Sequence, residues 1–293
     1  VFTTPFTYVA TAEVISILGA TPVFVDVYES TYNIDCEKLE NEINKVLNQG
    51  KLKPKAIIPV DLFGLPARYR LIDRIAKKYD LKVIEDAAQS FGGSIRNIKV
   101  GSFGDVAATS FYPAKPLGCY GDGGAIFTND DNLAEECKAI RIHGTKTDKY
   151  NSEMIGLNGR LDSIQAAVLL EKLNIFQEEL EMRNEIDAYY KQFLNNAQYH
   201  PNEYQSAHAL FSIVLGSKTK RNKLSKKLSE NDIPNVVYYK LPIHLMKAFE
   251  YLNYKKGSFP VSEQLSENIV SLPMHPYLSH NEIDTIINVM KYE

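Results

Sequence analysis

The sequence predicts an α/β fold, with a mostly parallel, doubly wound sheet in a large domain and a smaller C-terminal α+β domain. Two observations favour it: short apolar runs alternate with helical patterns in the first half of the chain, and the texture changes after Asn196, where a polar loop begins. Strands that alternate with helices are typical of a parallel sheet covered on both faces. We expect the large domain at residues 1–178 and the small domain at residues 179–293.

The first half of the chain supplies the elements of the large domain. Thr3–Leu18 reads as a tight Thr-Pro turn that leads into an amphipathic helix. Apolar runs predict buried strands at Pro22–Val27, Lys55–Val60, Leu81–Glu85, Val106–Phe111 and Gly124–Thr128. Between several of them, helical patterns occupy Glu37–Leu47, Tyr69–Tyr79 and Asn132–Ile142. Such sheets bind ligands beyond the carboxyl ends of their strands, so we expect a site where Glu85 and Asp86 end a strand.

The second half begins with a long helix, from Asp162 to about Asn195. Its apolar residues, among them Ile164, Val168 and Leu173, recur near helical spacing. The remaining elements are a strand at Ala209–Leu215, a lysine-rich helix at Lys218–Asn231, a short strand at Asn235–Tyr239 and a closing helix from about Asn281. Together they read as a small α+β domain packed on the first.

Composition and charge exclude several classes of protein. The 293 residues are 44% hydrophobic and 24% charged, with a net charge of −3 and a pI of about 6.1. No basic stripe appears, which argues against nucleic-acid binding, and no apolar run is long enough for a membrane span. The start of the chain lacks the pattern of a secretory signal. Cys36, Cys119 and Cys137 lie far apart without CxxC spacing, which predicts reduced thiols in a cytoplasmic protein.

A carboxylate at the end of a predicted strand is the first candidate site residue. Asp86, in Glu85-Asp86-Ala-Ala-Gln89, would ordinarily end a strand or cap a helix. It has no basic neighbour in the sequence, however, and a buried carboxylate needs a cationic partner. A protonated pyridine nitrogen would be such a partner, and Gln89 could contact the same ligand.

A lysine in an apolar turn is the second candidate. Lys115 stands between Phe111-Tyr-Pro and Pro116-Leu-Gly118, and a desolvated lysine becomes a usable nucleophile near neutral pH. An enzyme that uses pyridoxal 5′-phosphate (PLP) needs this pair, because the lysine binds the cofactor covalently and the acid keeps the pyridine nitrogen protonated. Ser110, at the end of a strand, could reach a phosphate oxygen.

Other motifs are more ambiguous. The glycine-rich run Gly118–Gly124 reads as a hairpin or loop tip, since it matches neither a Walker loop nor a dinucleotide fingerprint. Asp162 suits a helix N-cap, whereas Arg160 is equally a carboxylate or phosphate clamp and a surface ion pair. His143 and His275 are isolated, so we predict no metal site.

The aromatic candidates also have two interpretations. Tyr8 either belongs to the core or stacks on a planar ring, and Tyr238 and Tyr239 read first as strand packing.

Taken in order, these motifs resemble the DegT/DnrJ-type sugar aminotransferases, which are PLP enzymes of the aspartate-aminotransferase fold (fold type I). The matching stretches run almost from end to end: Thr4–Thr11, Gly19–Asp26, Pro59–Gly64, Glu85–Ser90, Ser110–Gly124, Arg141–Gly144, Asn158–Ala167 and Leu272–Tyr277. Some relatives have histidine in place of the lysine and act as dehydratases, so Lys115 argues for transamination.

The resemblance implies a role for each matching residue. Lys115 would bind the cofactor and transfer protons, and Asp86 would pair with its pyridine nitrogen. The other cofactor contacts would be Gln89 at the phenolic oxygen, Tyr8 at the ring face, Ser110 at the phosphate and Asn158 at the phosphate of the neighbouring subunit. The resemblance therefore implies a homodimer with shared active sites, an amino-acid donor such as glutamate, and a nucleotide-sugar acceptor.

The run Pro113–Ala125 resembles one subgroup in particular, the aminotransferases that act at C3 of UDP-2-acetamido-2-deoxy-hexuluronic acid. Arg160 would then suit the carboxylate of the substrate. This subgroup usually has His-Tyr-Pro where the chain has Tyr238-Tyr239-Lys240, a departure that touches the sugar pocket. By analogy, the product would serve bacterial surface polysaccharide or glycan synthesis.

The resemblance also implies a segment before Val1, with a Ser-Gly-Thr turn whose backbone amides bind the cofactor phosphate. We therefore weigh three alternatives: an active aminotransferase, a truncated, catalytically inactive remnant or non-catalytic partner subunit of the same fold, and a nucleotide-sugar sensor of that fold.

Overall fold

The elements are those of an α/β protein, in a computed structural model that describes residues 1–148 and 150–291. The strands are β1 (Phe2–Thr3), β2 (Val23–Phe24), β3 (Ala56–Ile57), β4 (Lys82–Asp86), β5 (Ser94–Ile95), β6 (Ile98–Lys99), β7 (Val106–Ser110), β8 (Gly124–Phe127), β9 (Tyr204–Gln205), β10 (Phe211–Val214) and β11 (Ile269–Leu272). The α-helices are α1 (Ala10–Ile17), α2 (Cys36–Gln49), α3 (Tyr69–Tyr79), α4 (Asp131–Arg141), α5 (Ser163–Lys191), α6 (Lys218–Glu230), α7 (Pro260–Asn268) and α8 (His280–Lys291).

The central sheet has the strand order β2-β1-β3-β4-β7-β8. Its strands pair in parallel except for β8, which runs antiparallel to β7. Because the strands β1, β3, β4 and β7 are parallel, their carboxyl ends meet at one edge of the sheet. This arrangement places Asp86, at the end of β4, beside Ala108 of β7, and Ser110 lies two residues further along β7. The predicted mostly parallel sheet is confirmed.

Local chemistry explains where the helices begin and end. Helix α2 begins after Asp35, whose side chain accepts hydrogen bonds from the backbone N–H groups of Glu37 and Lys38, and it ends at Gly50, which has φ +64°. Helix α3 buries Ile72, Ile75 and Ala76 against the sheet cluster. Asp162 does precede α5, but its side chain makes no capping hydrogen bond.

The C-terminal part contains the antiparallel pair β10–β11 with helices α6 and α8 packed around it. The predicted strand at Asn235–Tyr239 is wrong, because only Val236 forms a bridge, to Ser271. Pro234 precedes this segment and has no N–H to donate, and the Asn235 side chain is bonded to Ser225 instead. Helix α5 crosses the predicted domain boundary at residue 178. Its first half packs in one hydrophobic cluster and its last turns pack in another, so the boundary stays a prediction.

A small sheet of β5, β6 and β9 was not expected from the sequence, because each strand has only two residues. The glycine-rich run after Lys115 connects β7 to its antiparallel partner β8, as the hairpin interpretation predicts. The three cysteines are free thiols. Among the residues described, no helix has the length and apolar character needed to cross a membrane.

Candidate active site

Asp86 lies half-buried at the carboxyl end of β4, where its carboxylate is held by two donors. The Thr11 hydroxyl donates to Oδ2 at 2.7 Å, and the backbone N–H of Ala88 donates to Oδ1 at 3.2 Å. Burial raises the pKa of Asp86, while Thr11, Ala88 and the charge of Lys115 act in the opposite direction. These contacts hold the side chain in place and favour its anionic form, as a partner for a cationic ring nitrogen requires.

Lys115 lies in the turn that follows β7, close enough to Asp86 for the two charges to interact. Its backbone N–H donates to the carbonyl of Tyr112 at 2.9 Å, which closes the turn. Burial lowers the pKa of the Lys115 ammonium, and the Asp86 carboxylate partly opposes this effect. The fold therefore brings a partly desolvated lysine near a half-buried carboxylate, and the roles of the two residues stay predictions.

Gln89 is fixed at both ends of its amide group. Its Oε1 accepts from the backbone N–H of Phe63 at 2.8 Å, and its Nε2 donates to the Tyr239 hydroxyl at 3.1 Å. Phe63 adopts a left-handed conformation, with φ +60°, that aims this N–H at the amide. One N–H of Nε2 is not used in these contacts, so it can donate to an oxygen of a ligand.

Tyr8 and Ser110 border the same region. The Tyr8 side chain is 60% exposed, so the interpretation that it belongs to the core is wrong, and its ring centroid lies 6.4 Å from that of Tyr239. Ser110 ends β7, and its Oγ accepts from the backbone N–H of Tyr112 at 3.2 Å. That hydroxyl keeps its own hydrogen for a phosphate oxygen.

The remaining predicted residues are not all in this group. Asn158 and Arg160 are exposed on the segment before α5, and no hydrogen bond or ion pair among the described residues involves their side chains. The surface ion pair considered for Arg160 is therefore not formed within the described residues. Tyr238 packs against the Tyr239 ring, at 5.6 Å between centroids. All these roles remain predictions.

Behind Asp86 lies a buried pair of carboxyl groups that sequence reasoning missed. Asp61 accepts from Ala67 N–H, the Tyr69 hydroxyl and the Ser90 hydroxyl, each at 2.8 Å. Glu85 accepts hydrogen bonds from the backbone N–H groups of Gly101 and Phe103, and its carboxyl is close enough to that of Asp61 for the two charges to interact. Burial raises the pKa of both groups, so the pair retains a proton at neutral pH.

Thr11 was also missed as a site residue, although it lies within a matched motif. The available signal was its position four residues after Thr7 at the start of a helix, which lets the two hydroxyls meet at 3.2 Å. Asp61 gave a weaker signal, because a single acid after a strand does not reveal a second one on the neighbouring strand.

These side chains fit PLP. Asp86 offers an anion for the pyridine nitrogen, Lys115 an amine of lowered pKa, Gln89 a free N–H for the phenolic oxygen and Tyr8 an exposed ring face. All lie around the carboxyl ends of parallel strands, where such folds bind ligands.

Comparison with known proteins points the same way. The model of the DegT/DnrJ/EryC1/StrS aminotransferase family matches residues 1–291. The chain is 42% identical over 290 residues to the UDP-2-acetamido-2-deoxy-3-oxo-D-glucuronate aminotransferase of Pseudomonas aeruginosa, covering 98% of this chain and 77% of that protein.

Two solved structures are similar throughout. A DegT/DnrJ/EryC1/StrS aminotransferase from Brucella abortus is 49% identical with a TM-score of 0.95, over 99% of this chain and 78% of that one. A Streptococcus pneumoniae protein in its PLP form is 26% identical with a TM-score of 0.90, over 99% of this chain and 79% of that one. The predicted fold type I architecture is thereby confirmed. The chain belongs to the DegT/DnrJ/EryC1/StrS family of PLP-dependent sugar aminotransferases.

Proposed function

We propose that this aminotransferase moves an amino group from glutamate to the C3 keto group of a UDP-linked 2-acetamido-2-deoxy-hexuluronic acid. The observation that carries the proposal is the desolvated Lys115 beside the half-buried Asp86 at the carboxyl ends of β4 and β7. The similarity to the Pseudomonas 3-oxo-glucuronate enzyme supports the choice of sugar. The product would be an amino sugar for bacterial surface polysaccharide or glycan synthesis.

In the first half of the reaction, Lys115 acts as the base. Its Nζ removes the proton from Cα of the donor amino acid, which requires the unprotonated amine near neutral pH. Burial lowers the pKa of Lys115 and makes this form accessible. Bound PLP supplies an electron sink for the pair left on Cα.

Asp86 and its two donors keep the charges in place during this step. The carboxylate would pair with the pyridine nitrogen, and hydrogen bonds from Thr11 and Ala88 stabilise its anionic form. Gln89 would donate its remaining N–H to the phenolic oxygen, and Phe63 and Tyr239 fix its orientation. Lys115 would pass the proton from Cα to the C4′ carbon of the cofactor in the first half, and in the second half it would take that proton back and deliver it to C3 of the sugar, so it acts as base and as acid in each half.

The acceptor sugar requires recognition of a carboxylate. The exposed Arg160 guanidinium, which has no partner within the described residues, can bind a carboxylate in a bidentate manner. Tyr238 and Tyr239 would line the sugar pocket, in the place where the subgroup has His-Tyr.

We also propose that the active unit is a homodimer. The first half of α5 has an apolar outer face, on which Ile164 is 75% exposed and Leu170 is 64% exposed. The backbone N–H of Tyr120 donates a hydrogen bond to the Gln165 side chain of α5 at 2.8 Å, which connects this face to the turn that carries Lys115. An apolar surface of this kind beside the site is typical of a subunit interface, and Asn158 would reach the partner's cofactor from it.

The experiment is to record the visible spectrum of the purified chain with PLP, then reduce with borohydride and map the labelled peptide. Lys115→Ala should lose the lysine-dependent absorption band, whereas Lys138→Ala, which changes an exposed lysine of α4, should keep it. Amino transfer from glutamate to the UDP-linked 3-keto sugar is then followed by mass spectrometry. Turnover retained in Lys115→Ala would overturn the assigned role.

The same experiment tests the alternative of an inactive remnant or non-catalytic partner subunit. A chain that binds PLP on Lys115 but transfers no amino group to any nucleotide-linked keto-sugar would favour that alternative.

A further inference from the structure

A second group of polar side chains lies where α5 meets the segment 200–208. Asp187 comes from α5, and His200 and His208 come from that segment, with their ligand atoms all within 4.8 Å of one another. The ring nitrogen Nδ1 of His208 is 3.4 Å from Oδ1 of Asp187, and Nδ1 of His200 is 3.9 Å from Oδ2. No hydrogen bond or ion pair among the described residues joins this group to Lys115 or Asp86.

His208 is held so that Nδ1 faces the carboxylate. Its Nε2 lies 2.7 Å from Oδ1 of Asn184, so it donates there and Nδ1 is directed at Asp187. The backbone is fixed as well, because Arg183 donates to the His208 carbonyl at 3.0 Å while the residue adopts φ +44°. A histidine that binds a metal through one ring nitrogen usually donates the N–H of the other to an oxygen acceptor, as His208 does to Asn184.

A cation already occupies part of this site. The Lys191 ammonium lies 2.8 Å from Oδ2 of Asp187 and 3.1 Å from Nδ1 of His200. Its side chain is 31% exposed, so it can leave toward solvent without crossing the core. The position between Asp187 and His200 is therefore built for a positive charge and is reachable from water.

We propose that Asp187, His200 and His208 bind one divalent transition-metal ion of the zinc class, which takes the place of the Lys191 ammonium. Two imidazole nitrogens and one carboxylate oxygen are a donor set that zinc prefers, with water as the remaining ligand. Metal–ligand bonds of about 2.0–2.2 Å draw the donors together once Lys191 has moved out. The ion would tie the C-terminal half of α5 to the segment 200–208.

The test is Zn²⁺ titration of the full chain, freed of metal with a chelator, against a chromophoric chelator as competitor. A Cys137→Ser background removes the one half-exposed thiol. We expect one Zn²⁺ per chain, with affinity about 100-fold weaker in His208→Gln and about 10- to 100-fold weaker in Asn184→Ala. His275→Gln, which changes an exposed histidine elsewhere, should bind Zn²⁺ as the parent does.

Lys191→Met gives a result that misfolding cannot imitate. If the ammonium and the metal ion compete, this variant binds Zn²⁺ about 10-fold more tightly, or better, and Zn²⁺ raises its unfolding temperature more than that of the parent. Unchanged Zn²⁺ affinity in Lys191→Met, or equal affinity in His208→Gln and His275→Gln, would overturn the proposal and leave the group as an ion-pair network.

Discussion

At the scale of single residues, the Asp86 carboxylate depends on one hydroxyl. The Thr11 O–H donates at 2.7 Å and opposes the effect of burial on the Asp86 pKa. Hydrogen bonds to charged groups contribute about 1.5–3 kcal/mol. The Thr11 hydroxyl therefore helps to keep Asp86 charged.

Thr11→Val should raise the pKa of Asp86, because it removes the donor and keeps the shape of the side chain. With about 1.4 kcal/mol per pKa unit, the acid limb of PLP binding should move to higher pH by about 1–2 units. The measurement is the apparent PLP dissociation constant as a function of pH. Thr11→Ser, which keeps the hydroxyl, should restore the parent profile; a valine variant with an unshifted acid limb would contradict the assignment.

Tyr239 orients Gln89, so its hydroxyl should affect cofactor binding without contacting the reacting atoms. Tyr239→Phe removes the acceptor of the Gln89 N–H at 3.1 Å. A neutral hydrogen bond contributes about 0.5–1.5 kcal/mol, so PLP should dissociate about 2- to 10-fold more readily and its absorption maximum should shift.

Tyr238→Phe is the matched control for Tyr239→Phe. The Tyr238 ring packs against the Tyr239 ring, but no hydrogen bond of the Tyr238 hydroxyl is found among the described residues. Equal effects of the two variants on cofactor affinity would mean that the contact between Tyr239 and Gln89 has no such role.

At the scale of elements, the turn after β7 is what brings Lys115 to Asp86. Gly118 closes this turn, and a Cβ there would lie 2.6 Å from the Pro113 carbonyl oxygen and 2.8 Å from that of Tyr112. Only glycine allows this close approach between backbone segments. The glycine-rich run therefore allows the tight turn that positions Lys115, which its composition alone does not predict.

Gly118→Ala should displace the turn and lower the unfolding free energy by about 1–3 kcal/mol. Borohydride should then trap less PLP on Lys115, as measured by peptide mass spectrometry. Gly216→Ala is the control, because a Cβ at that position meets no atom within 4 Å. Parent-like labelling and stability of Gly118→Ala would show that the turn adapts.

The sequence predicted the elements that have strong periodicity or long apolar runs. Strands β4 and β7 were found to within one residue at their carboxyl ends, and α3 was found with its bounds, because burial imposes a regular pattern on them. The strand at Asn235–Tyr239 failed because local side-chain bonds of Asn235 compete with a ladder. Thr11 lies 75 positions from its partner Asp86, and Tyr239 lies 150 positions from its partner Gln89. No local sequence pattern predicts contacts over such separations.

At the scale of the whole molecule, the Asp61–Glu85 pair makes stability depend on pH. Burial raises the pKa of both carboxyls above that of the unfolded chain, so the folded chain holds an extra proton. Where the folded state binds more protons, stability falls as pH rises. The stability that the shared proton contributes is therefore present at about pH 4–5 and is lost as pH rises through the raised pKa values.

Asp61→Asn should flatten this dependence, because the amide cannot ionise. Relative to the parent, its unfolding temperature should improve between pH 5 and pH 8, where the parent loses stability. Asp73→Asn changes an exposed acid of α3 and should keep the parent slope. If the difference in unfolding temperature between Asp61→Asn and the parent were the same at pH 5 and at pH 8, that result would contradict a shared buried proton.

The shared active site can be tested by mixing two inactive chains. Lys115→Ala removes the nucleophile, and Asn158→Asp places a negative charge where the partner's cofactor phosphate would lie. If each site uses Lys115 from one chain and residue 158 from the other, a mixed dimer has one site with both changes and one site with neither. Random pairing of equal amounts then gives about a quarter of the parent activity in a two-fold dimer. If each site lies within one chain, both sites of every mixed dimer carry a defect and the mixture stays inactive.

Leu170→Asp tests the same interface by a second route, because it places a charge on the exposed apolar face of α5. We expect this variant to sediment as a monomer and to have no transfer activity. A monomer with full activity would rule out the shared site.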